Sequence, residues 1–286
     1  MVTAALWADV TGDSKKELIV TGEWMSTKIF TYRNNKLEEV YRTGLEEMYG
    51  WWQSVSAADL NGDGRQDLII GNIGENFYLR PAREQSVKLW VTDFDNSGSP
   101  GQFLTQSLDD RDMPVFLKRD ITDQFPFLKK ENLKHSDYAR KSVQDLFGKD
   151  KLANADVQLF NYCSSIVAIN NGSGGFTISK LPVRAQLSSV NAICPTDVNG
   201  DGKTDLLLGG NLFTFPPQFG RLDASYGDML LNDGKGIFTW VENKSSGISL
   251  KGEVKDIETV QVKGEEHILI TQNNNFPVMY RLVKKQ

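Results

Sequence analysis

One phrase occurs twice in the chain and constrains its fold more than any other feature. It consists of an apolar strand, an acidic turn rich in glycine and a second apolar strand, at 58–71 and at 196–209, and in both copies the turn reads Asp-x-Asn-Gly-Asp-Gly-x-x-Asp-Leu. Weaker copies begin at Asp9 and Asp93, and a degenerate copy near Val254 keeps the strands without the acidic turn. Recurrence of one strand–turn–strand unit predicts a repeat architecture of small stacked sheets.

The spacing of the units predicts the kind of repeat. The turns begin at 9, 59, 93, 197 and near 256, and Asn- and Gly-rich hairpin signals follow, as at 170–175 and 232–236. Four short antiparallel strands in a unit of about 50 residues are typical of a propeller blade. We therefore expect an all-β fold, a β-propeller of about five four-stranded blades. Whether five blades close a ring or belong to a larger propeller stays open.

The long interval between the turns at 93 and 197 contains a stretch of different character. Residues 109–156 are rich in charge, and Ser142 with Asp145 forms a capping-box pattern ahead of an apolar pair and Gly148. We expect 109–156 to be a helical insertion within the third blade, with strands resuming at 165–169 and 175–178. The whole chain, 1–286, is then one propeller domain.

The two complete turns have the composition of a calcium loop. Their oxygen-bearing side chains occupy alternate positions, which directs them at one centre, and Ca²⁺ takes about six to eight oxygen ligands. The expected ligands are Asp59, Asn61, Asp63, Asp67 and the carbonyl of Arg65, and Asp197, Asn199, Asp201, Asp205 and the carbonyl of Lys203. The weaker turns offer Asp9, Thr11, Asp13, Lys15 and Glu17, and Asp93, Asp95 and Ser97.

Two alternatives compete with the strand–loop–strand calcium site. An EF-hand needs a Glu at loop position 12 and a helix after the loop, but here position 12 is Ile70 or Leu208, each inside an apolar strand. Plain polar turns also favour Asp, Asn and Gly without any metal. Three carboxylates in one short loop repel one another unless a cation neutralises them, so the recurrence favours calcium.

Charge and motif content bear on other functions. The net charge of −5 disfavours nucleic acid as a partner, and no apolar run approaches the roughly 18 residues of a membrane helix. The two histidines lack metal-site spacing and no GxSxG elbow occurs, so we do not expect an enzyme. Cys163 and Cys194 are expected to be buried free thiols, with a bridge between them left open.

Two groups of aromatic residues are candidates for ligand binding. Trp51 and Trp52 precede a predicted strand, and Phe213 and Phe215 lie in a long loop. Such side chains stack on sugars or anchor a protein partner, and packing between blades is the alternative.

The acidic loops, with the Gly-Asn and Gly-Gly pairs that follow them, resemble FG-GAP or VCBS repeats, which build integrin α-subunit propellers and many bacterial surface proteins. The phrases at 220–227 and 250–257 resemble the C-terminal part of large Bacteroidetes VCBS-repeat proteins related to the ASPIC/UnbV group. The resemblance implies a calcium-binding, non-catalytic adhesion module at the cell surface or outside the cell, with a protein or glycan partner.

Other roles stay open beside that one. A carbohydrate-active surface enzyme and a structural spacer of a longer surface protein are the alternatives, and the oligomeric state is open. The chain begins almost at its first repeat, without a signal peptide, and we expect it to be a fragment of a longer secreted protein.

Overall fold

The computed structural model describes residues 1–82 and 84–283. The chain divides into two compact units, one made of Met1–Tyr78 and Cys163–Gln286 and the other of Leu79–Tyr162. We call them the first unit and the inserted unit. None of the helices in the described residues is both long enough and apolar enough to cross a membrane.

The first unit opens with sheet I, an antiparallel meander. Its strands are β1 (Val2–Ala8), β2 (Glu17–Met25), β3 (Lys28–Arg33), β4 (Lys36–Glu39) and β5 (Gly50–Trp51). The first four pair in chain order, and β5 pairs with β2. The acidic turn that starts at Asp9 connects β1 to β2.

The chain then forms β6 (Ser54–Ala58) and β7 (Asp67–Gly71), joined by the first complete acidic turn, and enters the inserted unit. That unit contains β8 (Val87–Thr92), β9 (Gly101–Leu108), β10 (Arg111–Pro114), α1 (Lys118–Gln124), α2 (Leu128–Glu131), α3 (His135–Tyr138), α4 (Val143–Phe147), α5 (Lys149–Leu152) and β11 (Asp156–Phe160). Its sheet has the order β10-β9-β8-β11. The capping box predicted at Ser142 and Asp145 begins α4, with the Ser142 N–H donating to the Asp145 carboxylate at 2.9 Å.

The inserted unit has its own core. Its short helices pack apolar side chains on the sheet, with Trp90, Phe94, Phe103 and Phe125 buried together. The stretch 109–156, which was predicted as a helical insertion, contains the five helices and also the strand β10 and the first residue of β11.

Sheet II corrects the predicted place of the strands that follow the insertion. After the inserted unit, β12 (Ile166–Asn170) pairs with β7, and β13 (Phe176–Lys180) pairs with β12, giving the order β13-β12-β7-β6. The strands expected to resume the third blade thus complete the second one, and Ile166 lies opposite Ile70. The prediction was wrong because it joined strands to the nearest preceding turn, whereas these strands pair across the whole insertion.

Sheets III and IV complete the first unit. Their elements are β14 (Val190–Thr196), β15 (Asp205–Gly210), β16 (Asp228–Asn232), β17 (Phe238–Val241), α6 (Asn243–Ser246), β18 (Val254–Val262), β19 (Glu265–Gln272) and β20 (Val278–Arg281). Sheet III has the order β14-β15-β16-β17 and sheet IV the order β18-β19-β20. Across the described residues, three sheets have four strands, one has five and one has three, which corrects the expectation of uniformly four-stranded blades.

Consecutive sheets of the first unit pack through their first strands: β1 contacts β6, β6 contacts β14, and β14 contacts β18. Glycines at the ends of the second strands permit this approach, since a Cβ on Gly71 would clash with the Val190 carbonyl oxygen and one on Gly209 with Val254 Cγ1. Apolar side chains fill the spaces between the sheets. The all-β prediction is confirmed, and the several four-stranded antiparallel sheets fit a β-propeller-like fold.

Both cysteines are free thiols, Cys163 half-buried and Cys194 buried. Burial raises the pKa of Cys163, and burial with the nearby charges of Glu258, Asp256 and Glu266 raises the pKa of Cys194 to about 11. Both therefore stay protonated at neutral pH.

Candidate functional site: the acidic loops and an aromatic cluster

The acidic loops share one backbone geometry. In each, the first Asp accepts a hydrogen bond from the amide five residues later: Ser14 to Asp9 (2.8 Å), Gly64 to Asp59 (2.8 Å), Gly98 to Asp93 (2.8 Å) and Gly202 to Asp197 (3.0 Å). The side chain thereby closes the turn, as Asp commonly does in polar turns. The repeated spacing therefore encodes a repeated loop conformation.

The last acid of each complete loop is buried and holds two backbone segments. Asp67 is 0% exposed, and its carboxylate accepts from the N–H groups of Leu60 (2.9 Å) and Asn170 (2.7 Å). Asp205, also 0% exposed, accepts from Val198 (3.1 Å) and Asn232 (2.8 Å).

These buried acids lie within electrostatic reach of the other two carboxylates of their loop. Burial raises the pKa of Asp67, the hydrogen bonds from Asn170 and Leu60 oppose this, and the charges of Asp63 and Asp59 raise it further. The pKa of Asp205 is raised in the same way by burial and by Asp201 and Asp197. Each complete loop thus concentrates three mutually repelling carboxylates.

The middle acid of each complete loop is exposed and faces a cation from the same loop. Asp63 accepts from the Arg65 N–H at 2.9 Å and pairs with the Arg65 guanidinium; the Arg65 N–H, the Asn61 amide and the guanidinium lower the pKa of Asp63. The Lys203 ammonium lies 3.5 Å from the Asp201 carboxylate. The sequence analysis assigned only the carbonyls of Arg65 and Lys203 a role, and missed these side chains.

The acidic loops carry the oxygen donors that a calcium ion prefers. Among residues 1–82 and 84–283, no three Asp, Glu, His or Cys side chains are grouped so that they could hold a metal ion as they stand. The chemistry of the complete loops nevertheless suits a hard cation, because their donors are all oxygen. A carboxylate has about four lone-pair sites, and each oxygen of Asp67 accepts only one described N–H, so both oxygens keep ligand capacity.

The weaker loops depart from this arrangement in different ways. In the first loop Glu17, 1% exposed, accepts from the Val10 (3.0 Å) and Thr11 (3.1 Å) N–H groups, and Ser14 adopts φ +64° where the complete loops have glycine. In the loop at Asp93 the last acid is replaced by Gly101, the first residue of β9. That loop offers only the carboxylates of Asp93 and Asp95.

Two asparagines that sequence analysis read only as hairpin signals connect neighbouring loops. The Asn170 side chain, 2% exposed, donates to the carbonyls of Gln66 (3.1 Å) in the acidic loop of its own sheet and Val10 (2.8 Å) in the acidic loop of sheet I. Asn232, 4% exposed, donates to the carbonyls of Thr204 (2.9 Å) in the acidic loop of its own sheet and Leu60 (2.8 Å) in the acidic loop of sheet II. We call these contacts the asparagine brackets. Their sequence signal is an Asn before each Gly-rich hairpin.

The opposite strand ends of the first unit carry an aromatic cluster. Trp51 precedes β6 and Phe77 follows β7, whereas the acidic loop joins the other ends of these strands. The ring contacts connect Trp24 with Trp51 (5.1 Å), Trp51 with Phe77 (5.1 Å) and with Phe215 (6.4 Å, stacked), and Tyr78 with Phe219 (4.2 Å, stacked). Trp24 holds φ +62°, which is unusual for a bulky residue.

The four predicted ligand-binding aromatics separate in the structure. Trp51 and Phe215 meet in the cluster, but Trp52 is 0% exposed, and its indole N–H donates to the Met48 carbonyl at 3.2 Å. Trp52 is therefore a core residue, and its predicted role in binding was wrong. Phe213 lies instead under the Arg221 guanidinium, 5.5 Å from the ring centre. Trp24, Phe77 and Tyr78 also belong to the cluster and were not predicted, because each lies far in the chain from Trp51 and Phe215.

No curated protein matches the chain. Residues 9–70, which contain the first acidic loop and the first complete one, match the FG-GAP-like repeat family and are similar to such repeats over that stretch.

Proposed function

We propose that the chain is a calcium-binding, non-catalytic recognition module. In this proposal the loops at 59–67 and 197–205 each hold one Ca²⁺, which stiffens the connection between the first two strands of sheets II and III. The observation that carries it is the same in both loops: a buried carboxylate with free ligand capacity lies in electrostatic reach of two further carboxylates.

The residues that would hold the ion are those at alternate positions of each loop. Bound there, Ca²⁺ would neutralise the three carboxylates. Binding requires Asp63 to exchange the Arg65 guanidinium for the ion, and Asp201 to exchange Lys203, because these cations now occupy the exposed side of each loop. The buried acids are each held in place by two backbone N–H groups.

The recognition role rests on different support. FG-GAP repeats are found in integrin-like adhesion or recognition propellers, and the match at 9–70 makes a protein-interaction domain the best supported function class. The aromatic cluster, with Trp51 and Phe215 half-buried, supplies side chains that can contact a protein or glycan. We place the protein outside the cell or at its surface by the same similarity.

Calcium binding is tested with variants that remove charge but keep the turn. Asp63→Asn and Asp201→Asn should bind Ca²⁺ more weakly, and the double variant should lose most of the thermal stabilisation that Ca²⁺ gives over EGTA. For each occupied site that stabilisation is about 2.7 kcal/mol at roughly 100 times the dissociation constant. Calorimetric titration and thermal unfolding provide the measurements.

Asp233→Asn is the matched control, because Asp233 also caps a turn, accepting from the Lys235 N–H at 2.7 Å, but lies outside both acidic loops. It should respond to Ca²⁺ like the parent. The proposal would be refuted if Ca²⁺ did not raise the melting temperature of the folded parent chain above its value in EGTA. It would also be refuted if Asp63→Asn, Asp201→Asn and Asp233→Asn lost this stabilisation equally.

A further inference from the structure

Sheet IV ends one strand earlier than the sheets beside it. Within the described residues β20 is its outermost strand and pairs only with β19, whereas sheets II and III carry a fourth strand in that position, β13 and β17. Natural proteins usually cover or charge such an open sheet edge, because its unpaired backbone groups can pair with another chain.

The fourth strands of sheets II and III show what fits such an edge. Both contain the pattern Phe-Thr followed by a large apolar residue, at 176–178 and 238–240. The Thr is exposed, and the residues on either side are partly buried. In β17, Phe238 and Trp240 pack against the cluster of apolar side chains shared by sheets II and III.

A groove lies where the equivalent side chains of sheet IV would pack. Its volume is about 440 Å³. Sheet III lines it with Leu207, Met229, Leu231 and Val241, and sheet IV lines it with Ile268 and Tyr280. Phe238 and Trp240 fill the space between sheets II and III, and the groove occupies the corresponding space between sheets III and IV. The groove therefore continues a packing pattern that the molecule already shows.

We propose that the β20 edge binds an extended segment of a partner protein, antiparallel to β20, by strand addition. Apolar side chains at alternate positions of the segment enter the groove, and Thr or Ser between them faces solvent, as in β13 and β17. Backbone pairing supplies affinity and the two side-chain positions supply specificity. The groove also borders the acidic loop at 197–205, through Val198 and Asn199.

The probe is a fluorescent peptide with the sequence of residues 174–180, Gly-Gly-Phe-Thr-Ile-Ser-Lys, titrated with the full chain and followed by anisotropy. We expect saturable binding, and a loss of at least about tenfold when Asp replaces the Phe and the Ile of the peptide, the size expected for losing one well-buried anchor. Hydrogen exchange of the complex should show new protection at 278–281.

Two adjacent residues of β20 give a matched pair of variants. Tyr280 lines the groove, whereas Met279, 52% exposed, lies on the opposite face of the strand. Tyr280→Ala should weaken peptide binding about tenfold and Met279→Ala should leave it unchanged. Circular dichroism verifies that each variant is folded.

The outcomes decide between occupants. No saturable binding by the folded parent, equal affinity for the Asp-substituted peptide, or protection away from β20 would each overturn the proposal. The chain could instead form a concentration-dependent dimer in which 278–281 are protected without peptide, and which added peptide does not dissociate. That result would assign the edge to a second copy of the chain and would also overturn the proposal.

Discussion

Asp228 shows how one residue can couple folding to pH. It is 9% exposed and accepts from the Trp240 indole N–H at 2.9 Å and the Ser225 hydroxyl at 3.0 Å. Burial raises the pKa of Asp228 despite these two hydrogen bonds and the nearby Arg184. An acid whose pKa is higher in the folded than in the unfolded chain binds more protons when folded. Its contribution to stability is therefore present at low pH and is lost as pH rises through the folded pKa.

Asp228→Asn should remove that pH dependence. The amide oxygen can still accept from Trp240 and the amide N–H can donate to Ser225, so the variant keeps the local contacts. We expect its free energy of unfolding to fall less than that of the parent as pH rises from about 4, the ordinary Asp pKa, to 7. Urea unfolding across this range, in EGTA, measures the difference.

The control for this prediction is Asp223→Asn, because Asp223 is an exposed acid in the loop that leads to Asp228. It should follow the parent curve. If the free energies of unfolding of the parent and of Asp228→Asn change in parallel with pH, the buried carboxyl does not cause the pH dependence of stability.

At the scale of an element, the asparagine brackets connect neighbouring acidic loops that strand pairing does not connect. Asn232 ends β16, yet its amide contacts the loop of its own sheet and the loop of sheet II. Its side-chain oxygen also accepts from the Gly234 N–H at 2.9 Å. A single side chain thus fixes the hairpin, its own loop and the neighbouring loop together.

Asn232→Ala should destabilise the chain by about 1–3 kcal/mol, because it leaves the Leu60 and Thr204 carbonyls without their amide donor at a buried site. Asn171→Ala is the matched control: Asn171 is exposed and its oxygen accepts only within its own turn, from Ser173 and Gly175. Urea denaturation compares them. Equal losses would show that the bracket adds nothing beyond turn formation.

The elements also show what the sequence could predict. The loop geometry was predictable because it depends on residues within nine positions of one another, from Asp59 to Asp67. The pairing of β12 with β7 was not, because the inserted unit separates the two strands. Nor could the sequence tell Trp51 from Trp52, since neighbouring residues near a strand point to opposite sides and either could face the core.

At the scale of the whole molecule, the inserted unit enters and leaves the first unit at adjacent points. The Gly74 N–H donates to the Cys163 carbonyl at 2.9 Å, and β7 and β12 pair directly beyond them. An insertion whose ends lie together is a site that tolerates exchange of the segment between them.

Replacing residues 79–162 by a short Gly-Ser linker should therefore leave the first unit folded. The pairing of β7 with β12 and the packing of sheets I to IV involve only residues of that unit. Far-ultraviolet circular dichroism and one cooperative thermal transition are the expected results. A shortened chain without a cooperative transition would contradict the independence of the first unit.

The asparagine brackets have a direction. Asn170 reaches back from sheet II to Val10, and Asn232 reaches back from sheet III to Leu60, but no side chain in the described residues donates to the carbonyl of Val198, the equivalent position of the last complete loop. That loop is clamped from one side only. Its amides should consequently exchange with deuterium before those of the loop at 59–67, and an ion held there should leave faster than one held at 59–67.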